Sequence, residues 1–297
     1  MMNDDRRNLS LDVVTAARSK DLRILRLALG ELRRFVRMKR LYVITARSNF
    51  QRFHRALGPE VELLDEDSLV PGLTLRYLRS LALPGLPNGA GWYLQQLDKL
   101  AFSFRPSTDD YYLIWDSDTI PLRPLEFFDP QGRMCFTISD EEHAPYFENF
   151  RHLIGQEPHR EFSFISQHII VQKSIVREMI GKIEINFPGP ESWGCKIMQN
   201  LKGAHVNLFS EYETLGHYVK TNYPERATYR RLPWLREAAL ETRGLPSAAD
   251  LAQLAENYFF ASFESQQMPL RKFILDVRRL LTPGTPAFRY KSNAPER

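Results

Sequence analysis

The fold of this chain is decided by one stretch of its sequence, Tyr111-Tyr112-Leu113-Ile114-Trp115-Asp116-Ser117-Asp118-Thr119-Ile120-Pro121. The first five of these residues are aromatic or aliphatic, which predicts a buried strand. Asp116 and Asp118 then stand on the turn that leaves this strand. Acidic and hydroxyl residues are also common in solvated turns, so an ordinary surface turn is the alternative.

The residues before this stretch alternate between strand-like and helix-like patterns. Four runs predict strands, at residues 11–17, 41–45, 61–64 and 111–115. Leucines at helical spacing predict a helix that starts at Ser19–Asp21, and a second helix follows the Pro/Gly-rich residues 84–91. This alternation predicts an α/β fold, with a mostly parallel, Rossmann-like sheet flanked by helices. Ligands of such sheets bind at the carboxyl ends of the strands, where Thr15, Asp65 and Asp116 are expected.

The second half of the chain has a less regular pattern. It predicts a strand at 162–171, helices at 174–182 and 191–201, and further helices opened by Ser210 and Ser247. We expect a catalytic domain over residues 1–235 and a helical C-terminal extension over residues 236–297. Residues 1–120 would be the nucleotide-binding half of that domain, and residues 121–235 the acceptor-side half.

Composition and charge restrict the class of protein. The sequence has 40 Lys and Arg against 36 Asp and Glu, a net charge of +4, which is too weak to indicate a nucleic-acid partner. Its two cysteines, Cys135 and Cys195, cannot build a disulfide framework. No apolar run is long enough to span a bilayer, and no secretory signal is visible. We therefore expect a cytoplasmic protein that can also lie on a membrane surface.

The two aspartates after the predicted strand are candidate metal ligands. Asp116 and Asp118 can bind one hard divalent cation, because Mg²⁺ and Mn²⁺ prefer carboxylate oxygens and keep positions open for phosphate. A metal at this point would act as a Lewis acid on a diphosphate leaving group as its charge develops.

Four pieces of the sequence resemble one protein family: Gly91-Trp92-Tyr93-Leu94-Gln95-Gln96-Leu97-Asp98-Lys99-Leu100, Trp115-Asp116-Ser117-Asp118, Ser166-Gln167-His168 and Ser210-Glu211-Tyr212-Glu213. Together they span about residues 10 to 225. They resemble GT-A-fold glycosyltransferases, and more narrowly a bacterial family of GT-A-like proteins that mostly lack an assigned substrate. The resemblance implies a GT-A-like domain that takes a sugar from a UDP- or GDP-linked donor with Mn²⁺ or Mg²⁺. It also implies a hydroxyl of a glycan or lipid-linked saccharide as the acceptor, in bacterial surface polysaccharide synthesis.

The same resemblance implies which residues hold the nucleotide sugar. They are Thr15, Ala16 and Arg18 after the first strand, Asp65 after the third, Gln95 and Lys99 on the helix, and Asp116 and Ser117 on the acidic turn. A lysine near a diphosphate adds positive charge. Each has a simpler alternative: Arg18 as a surface charge, Asp65 as a loop acid, and Lys99 as a solvated helix residue.

Glu211 and Glu213 are the candidates for a general base. An inverting transferase needs a carboxylate that takes the proton of the acceptor hydroxyl, whereas a retaining enzyme does not. Ser210 and Glu213 also have the spacing of a capping box, in which each side chain bonds the backbone amide of the other. We therefore expect Glu211 to be the base.

Two further residues are candidates with weaker support. His168 could complete the metal shell or contact the sugar, although a lone strand histidine is more often packed and hydrogen-bonded. Trp193 could stack on an acceptor sugar or pack in the interior.

The C-terminal part carries a basic amphipathic pattern over residues 270–281, which suits an anionic membrane surface. Its alternative is a helix packed on the catalytic domain, and the last dozen residues are expected to be a mobile tail.

Two other functions stay open. A sugar-phosphate nucleotidyltransferase would usually carry a Gly-rich loop after the first strand, but residues 15–20 contain no glycine. A non-catalytic nucleotide-sugar-binding module would keep the fold without turnover.

Overall fold

The computed structural model describes residues 5–264, apart from residues 82, 84, 85, 107, 108, 206 and 243. The chain divides into two compact units, which interleave along the sequence rather than dividing between residues 235 and 236. The first unit comprises the residues up to Ser19, Met38–Asp116 and Glu126–Arg230. The second comprises Lys20–Arg37, Ser117–Leu125 and the residues from Arg231 onward.

Strands and helices alternate along the described chain, as the apolar pattern predicts. The strands are β1 (Leu11–Ala16), β2 (Met38–Thr45), β3 (Glu62–Asp65), β4 (Tyr111–Trp115), β5 (Thr119–Pro121), β6 (Met134–Thr137), β7 (His168–Gln172), β8 (Ala227–Arg230), β9 (Trp234–Leu235) and β10 (Phe260–Ser262). The α-helices are α1 (Leu22–Phe35), α2 (Phe50–Leu57), α3 (Leu75–Ser80), α4 (Leu86–Ala101), α5 (Ala144–Ile154), α6 (Lys173–Asn186), α7 (Trp193–Asn200), α8 (Glu211–Asn222), α9 (Ala238–Glu241) and α10 (Ala248–Ala255).

The first unit is built on a five-stranded sheet in the order β3-β2-β1-β4-β7. The pairs β3–β2, β2–β1 and β1–β4 are parallel, and β4–β7 is antiparallel. The chain runs outward from β1 in both directions, so the strand order reverses between β1 and β4. In open α/β sheets such a switch point leaves a crevice at the carboxyl ends of the strands, where ligands bind. The predicted, mostly parallel sheet is confirmed.

Residues of β1 and β4 fill the centre of this sheet. Val13, Val14, Leu113 and Ile114 are inaccessible to solvent, because strands covered on both faces bury successive side chains rather than alternate ones. Trp115 is the last residue of β4 and Asp116 follows it directly, so β4 delivers Asp116 to the carboxyl edge of the sheet.

Two predicted boundaries are wrong for a physical reason. The strand expected at 162–171 begins only at His168, because Gln167 takes a left-handed backbone conformation with φ of 63° that interrupts the extended chain between the isolated bridge at Ser163 and β7. The helix expected after the Pro/Gly-rich residues instead starts within them, at Leu86. The observed α6 and α7 differ from their predictions by a few residues at their ends.

Helix α8 packs closely in the interior of the first unit. A Cβ atom on Gly216 would lie 2.1 Å from the ring of Phe164, so only glycine allows this approach. The position of Gly216 fixes the depth of α8, and with it the position of Glu211 at the first turn.

The second unit holds a three-stranded sheet in the order β5-β10-β9. Pairing of Phe260 with Pro121 and of Ser262 with Thr119 draws the residues after Asp116 into this unit, which explains the interleaved division. Its core is formed by hydrophobic side chains in or directly after α1, β5, α9 and β10: Ile24, Ala28, Ile120, Leu122, Ala238, Ala239, Ala261 and Phe263. The described part of the expected C-terminal extension thus contains one strand, β10, as well as helices.

Within the described part of the chain, no helix is long and apolar enough to cross a membrane. The basic pattern at residues 270–281 and the expected mobile tail lie outside the described residues.

Candidate active site

Lys99 lies on α4 with a side chain that is inaccessible to solvent. A buried ammonium group is costly unless charged partners surround it. Two carboxylates of the first unit do so. Lys99 Nζ lies 2.8 Å from Asp116 Oδ1 and 2.5 Å from Glu211 Oε1. The structure therefore brings together three of the predicted site residues, and we call them the charge cluster.

The two carboxylates keep the Lys99 ammonium protonated. Burial alone would lower the pKa of Lys99, but the charges of Asp116 and Glu211 and their hydrogen bonds outweigh it and raise that pKa. Burial also raises the pKa of the Glu211 carboxyl, while the Lys99 charge acts in the opposite direction. A carboxylate that is desolvated yet ionised is a stronger base than one in water.

The first turn of α8 is tied to α4 through Gln96. The side-chain carbonyl of Gln96 accepts a hydrogen bond from the Glu211 N–H at 3.1 Å, and its amide group donates to the Trp92 carbonyl at 3.1 Å. Ser210 caps α8, because its hydroxyl accepts from the Glu213 N–H at 3.3 Å. The Glu211 backbone is thereby fixed beside Lys99.

Asp116 is positioned by an unusual backbone neighbour. Its N–H donates to the Gln167 carbonyl at 2.9 Å, and Gln167 is one of two described non-glycine residues with positive φ. A left-handed conformation at a non-glycine residue costs roughly 1–3 kcal/mol and is concentrated at functional sites. The strain at Gln167 therefore indicates a functional site at this edge of the sheet.

The loops after β1 and β3 meet at the same carboxyl edge. Burial raises the pKa of Glu66, the charges of Asp67 and Asp65 raise it further, and the Arg18 charge lowers it. Arg18 is exposed, Thr15 is buried, and Ala16 is partly exposed. Asp65 is the last residue of β3, and its carboxylate lies 3.8 Å from Arg47. These predicted nucleotide-binding residues thus share one edge of the sheet.

Glu213 is not brought to the charge cluster. Its buried carboxylate accepts from the Ser163 hydroxyl and, at 3.3 Å, from the Phe164 N–H, and it lies 3.1 Å from His217 Nε2. The expected capping box is therefore only half formed. The Ser210 hydroxyl accepts from the Glu213 N–H, but the Glu213 carboxylate is bound to Ser163 and Phe164, in the segment before β7. Its contacts are those of a structural group, which makes it a poor candidate for the base.

His168 lies in the interior of the first unit. Its ring stacks on Trp115 with centroids 5.0 Å apart, and its Nε2 lies 3.2 Å from the Thr137 hydroxyl. Burial lowers its pKa to about 3, so the imidazole is neutral at physiological pH. This is the environment of the packed and hydrogen-bonded histidine, which was the alternative to a metal ligand.

The remaining candidates are placed as follows. Asp118 is partly exposed and Ser117 is buried, both in the second unit, where the Asp118 carbonyl accepts from the Phe263 N–H at 2.8 Å. Gln95 is partly exposed on α4. Trp193 is buried and stacks on Phe104 at 6.2 Å, so it packs in the protein and is not free to receive a sugar. Among the described residues, no group of three or more metal-ligating side chains is gathered.

Sequence reasoning missed three features of the site. Gln96 orients Glu211, Gln167 carries strained backbone, and Asp98 is a buried carboxyl on α4. The signal for Gln96 was the helical period, since Trp92, Gln96 and Lys99 are spaced four and three residues apart and so share one face. The conformation of Gln167 left no signal in the sequence.

The sheet order and the charge cluster after β4 define a Rossmann-like α/β protein with buried charged side chains at the carboxyl edge of its sheet. The chain belongs to the family described as "Family of unknown function (DUF6492)", which it matches over residues 9–230. No curated protein matches the sequence.

Solved structures of several glycosyltransferases are similar to this chain. Mouse xyloside xylosyltransferase 1 is 12% identical, with a TM-score of 0.47, over 88% of this chain and 99% of that one. The galactosyltransferase LgtC is 10% identical, with a TM-score of 0.45, over 93% and 98%. The glycosyltransferase GlyE of Streptococcus pneumoniae is 12% identical, with a TM-score of 0.36, over 86% and 55%.

Proposed function

We propose that this protein is a metal-dependent glycosyltransferase, which moves a sugar from a nucleoside-diphosphate donor to an acceptor hydroxyl. The charge cluster of Lys99, Asp116 and Glu211 carries this proposal. It lies at the carboxyl edge beside the β1–β4 switch point, where α/β sheets bind nucleotides. A buried lysine between two carboxylates has no evident structural need, because apolar residues of similar volume would stabilise the interior as well or better.

The donor would bind along the carboxyl edge of the sheet. Thr15, Ala16 and Arg18 follow β1 and would contact the base and ribose together with Asp65 after β3. Lys99 would supply positive charge toward the diphosphate as its bond to the sugar breaks. Gln95 and Ser117 would add hydrogen bonds to the same ligand.

Asp116 and Asp118 fit a hard divalent cation such as Mn²⁺ or Mg²⁺ in the chemistry of their donor atoms. The Asp116 side chain is 21% exposed, so its carboxylate is reachable from solvent even though Lys99 contacts one of its oxygens. When bound there, the ion would act as a Lewis acid on the departing diphosphate. His168 is a poor fit as a third ligand, because its ring is enclosed by aromatic neighbours.

Glu211 would take the proton of the acceptor hydroxyl as its oxygen attacks the sugar carbon. Desolvation makes this carboxylate a stronger base, and Lys99 holds it ionised and oriented. The acceptor would be a glycan or a lipid-linked saccharide, used in bacterial surface polysaccharide synthesis. This role places the protein in the cytoplasm, with residues 270–281 on an anionic membrane face.

Calorimetry with UDP and GDP, with and without Mn²⁺, tests the proposal. We expect one nucleotide to bind in a metal-dependent manner, and Asp118→Ala to remove that dependence without unfolding the protein. Glu157→Ala is the matched control, because Glu157 is an exposed carboxylate that pairs with Arg151. Nucleotide-sugar turnover is then followed as nucleotide release. Binding without turnover would favour a non-catalytic module, and no binding of either nucleotide would overturn the proposal.

A further inference from the structure

Aromatic side chains converge beside Glu211 from α4 and from the start of α5. The rings of Trp92 and Tyr146 stack with centroids 6.5 Å apart and an interplanar angle of 22°. The His143 ring lies 4.3 Å from that of Tyr146. We call Trp92, Tyr146 and His143 the aromatic strip. Trp92 and His143 are partly exposed, whereas Tyr146 is buried beneath them.

The aromatic strip is continuous with the charge cluster. Trp92 precedes Gln96 by four residues and Lys99 by seven, so all three share one face of α4. Gln96 links the two features directly, since it bonds both the Trp92 carbonyl and the Glu211 N–H. Burial raises the pKa of Tyr146, and so do the charges of Glu141 and Glu211, which places its phenol within electrostatic reach of the proposed base.

The segment that leads into α8 is fastened next to the strip. His143 Nε2 lies 2.7 Å from the Asn207 carbonyl, and the Tyr93 hydroxyl accepts from the Leu208 N–H at 2.9 Å. Asn149 donates to the Lys202 carbonyl and accepts from its N–H, at 2.9 and 2.8 Å. These bonds hold the rings and the approach to Glu211 in a fixed arrangement. A binding surface that is ordered beforehand loses less entropy when its ligand arrives.

A fixed, partly exposed aromatic surface with polar edges has the chemistry to hold a sugar ring. The flat face of an indole covers the apolar C–H face of a pyranose, while imidazole, phenol and carboxylate groups bind its hydroxyls. We infer that the aromatic strip is the subsite for a pyranose ring of the acceptor saccharide, with Trp92 as its platform. This inference rests on the proposed function, because it assigns the acceptor side of the same site.

Saturation-transfer NMR on the full chain tests the subsite without requiring turnover. The probe is a mixture of the methyl glycosides of glucose, galactose, mannose and N-acetylglucosamine. We expect the wild-type protein to saturate the C–H protons of at least one glycoside. Trp92→Ala should lose most of this signal, and Trp92→Tyr should retain it. Phe104→Ala is the matched control, because Phe104 is an exposed aromatic residue of the same unit that is outside the strip.

The outcomes separate the subsite from the proposed function. If a nucleotide binds but no glycoside is saturated, or if Trp92→Ala keeps the full signal in a folded protein, the subsite is wrong and the transferase proposal stands. If glycosides bind through Trp92 but no nucleotide binds, the subsite stands and the transferase proposal falls. Once an acceptor is known, Trp92→Ala should raise its KM at least tenfold.

Discussion

The ammonium of Lys99 lies 2.5 Å from a carboxylate oxygen of Glu211, although the two residues are more than a hundred positions apart in the chain. The Lys99 side chain is 0% exposed and that of Glu211 is 3% exposed. Neither charge is solvated by bulk water, so each depends on the other and on Asp116. This dependence makes the pair sensitive to substitution.

Lys99→Met should destabilise the protein strongly, because it leaves the Glu211 carboxylate buried without its cation. Removing one partner of a buried ion pair costs about 3–5 kcal/mol. Urea unfolding measures the change. Lys39→Met is the control, since the Lys39–Asp109 pair is solvent-exposed and its loss should change stability little. If Lys99→Met unfolds at the wild-type urea concentration, the buried pair does not exist as described.

Glu211→Gln and Glu213→Gln should have different effects, although the two residues are two positions apart. Glu211→Gln should slow transfer by roughly 10²–10⁴-fold, the contribution of a general base. It should also lower the melting temperature, because Lys99 then keeps only one of its two carboxylate partners. Glu213→Gln should lower the melting temperature and leave transfer near the wild-type rate, because its carboxylate serves the Ser163 and His217 network. Nucleotide release and thermal melting measure the two effects. The opposite pattern would assign the base to Glu213.

His168 should make the protein lose stability as the pH falls. Burial lowers its native pKa to about 3, against an ordinary value of 6.5. Between these values the native state binds fewer protons than the unfolded state, so stability is full above pH 6.5 and is lost toward pH 3. His168→Gln should remove this component, at most about 1.4 kcal/mol per pH unit. Urea unfolding at pH 7.5 and 5.5 measures it, and parallel changes in both proteins would contradict it.

Asp98 should act in the opposite direction. Burial raises its pKa well above the ordinary value, and the charges of Glu66, Asp67 and Asp65 add to the increase. The native state then binds more protons than the unfolded state, so stability falls as the pH rises above about 4. Asp98→Asn stays neutral and should be more stable than wild type at pH 8, with the difference vanishing near pH 4. Urea unfolding at both pH values is the measurement. A less stable variant at pH 8 would show that the ionised carboxylate has a favourable native partner.

The local features of the fold could be predicted from sequence because they depend on neighbours in the chain. The strand at Tyr111–Trp115 and the cap at Ser210 were predicted at their observed positions. The mostly parallel sheet followed from the alternation of strands and helices, whereas the order of its strands came only from the structure. The interleaved units could not be predicted, since they depend on pairing between Pro121 and Phe260, far apart in sequence.

The sequence by itself determined which residues could form a site. It marked Lys99 and Asp116, and it favoured Glu211 over Glu213 as the candidate base. The contacts of the two carboxylates became visible only in the tertiary structure, where Glu211 lies beside Lys99 and Glu213 does not. Residues two positions apart on a helix point about 200° apart, so the packing of α8 turned one carboxylate toward Lys99 and the other toward Ser163. Long-range packing also buries His168 and Trp193. This burial could not be predicted from the sequence, because no local pattern records which side chains meet across a sheet.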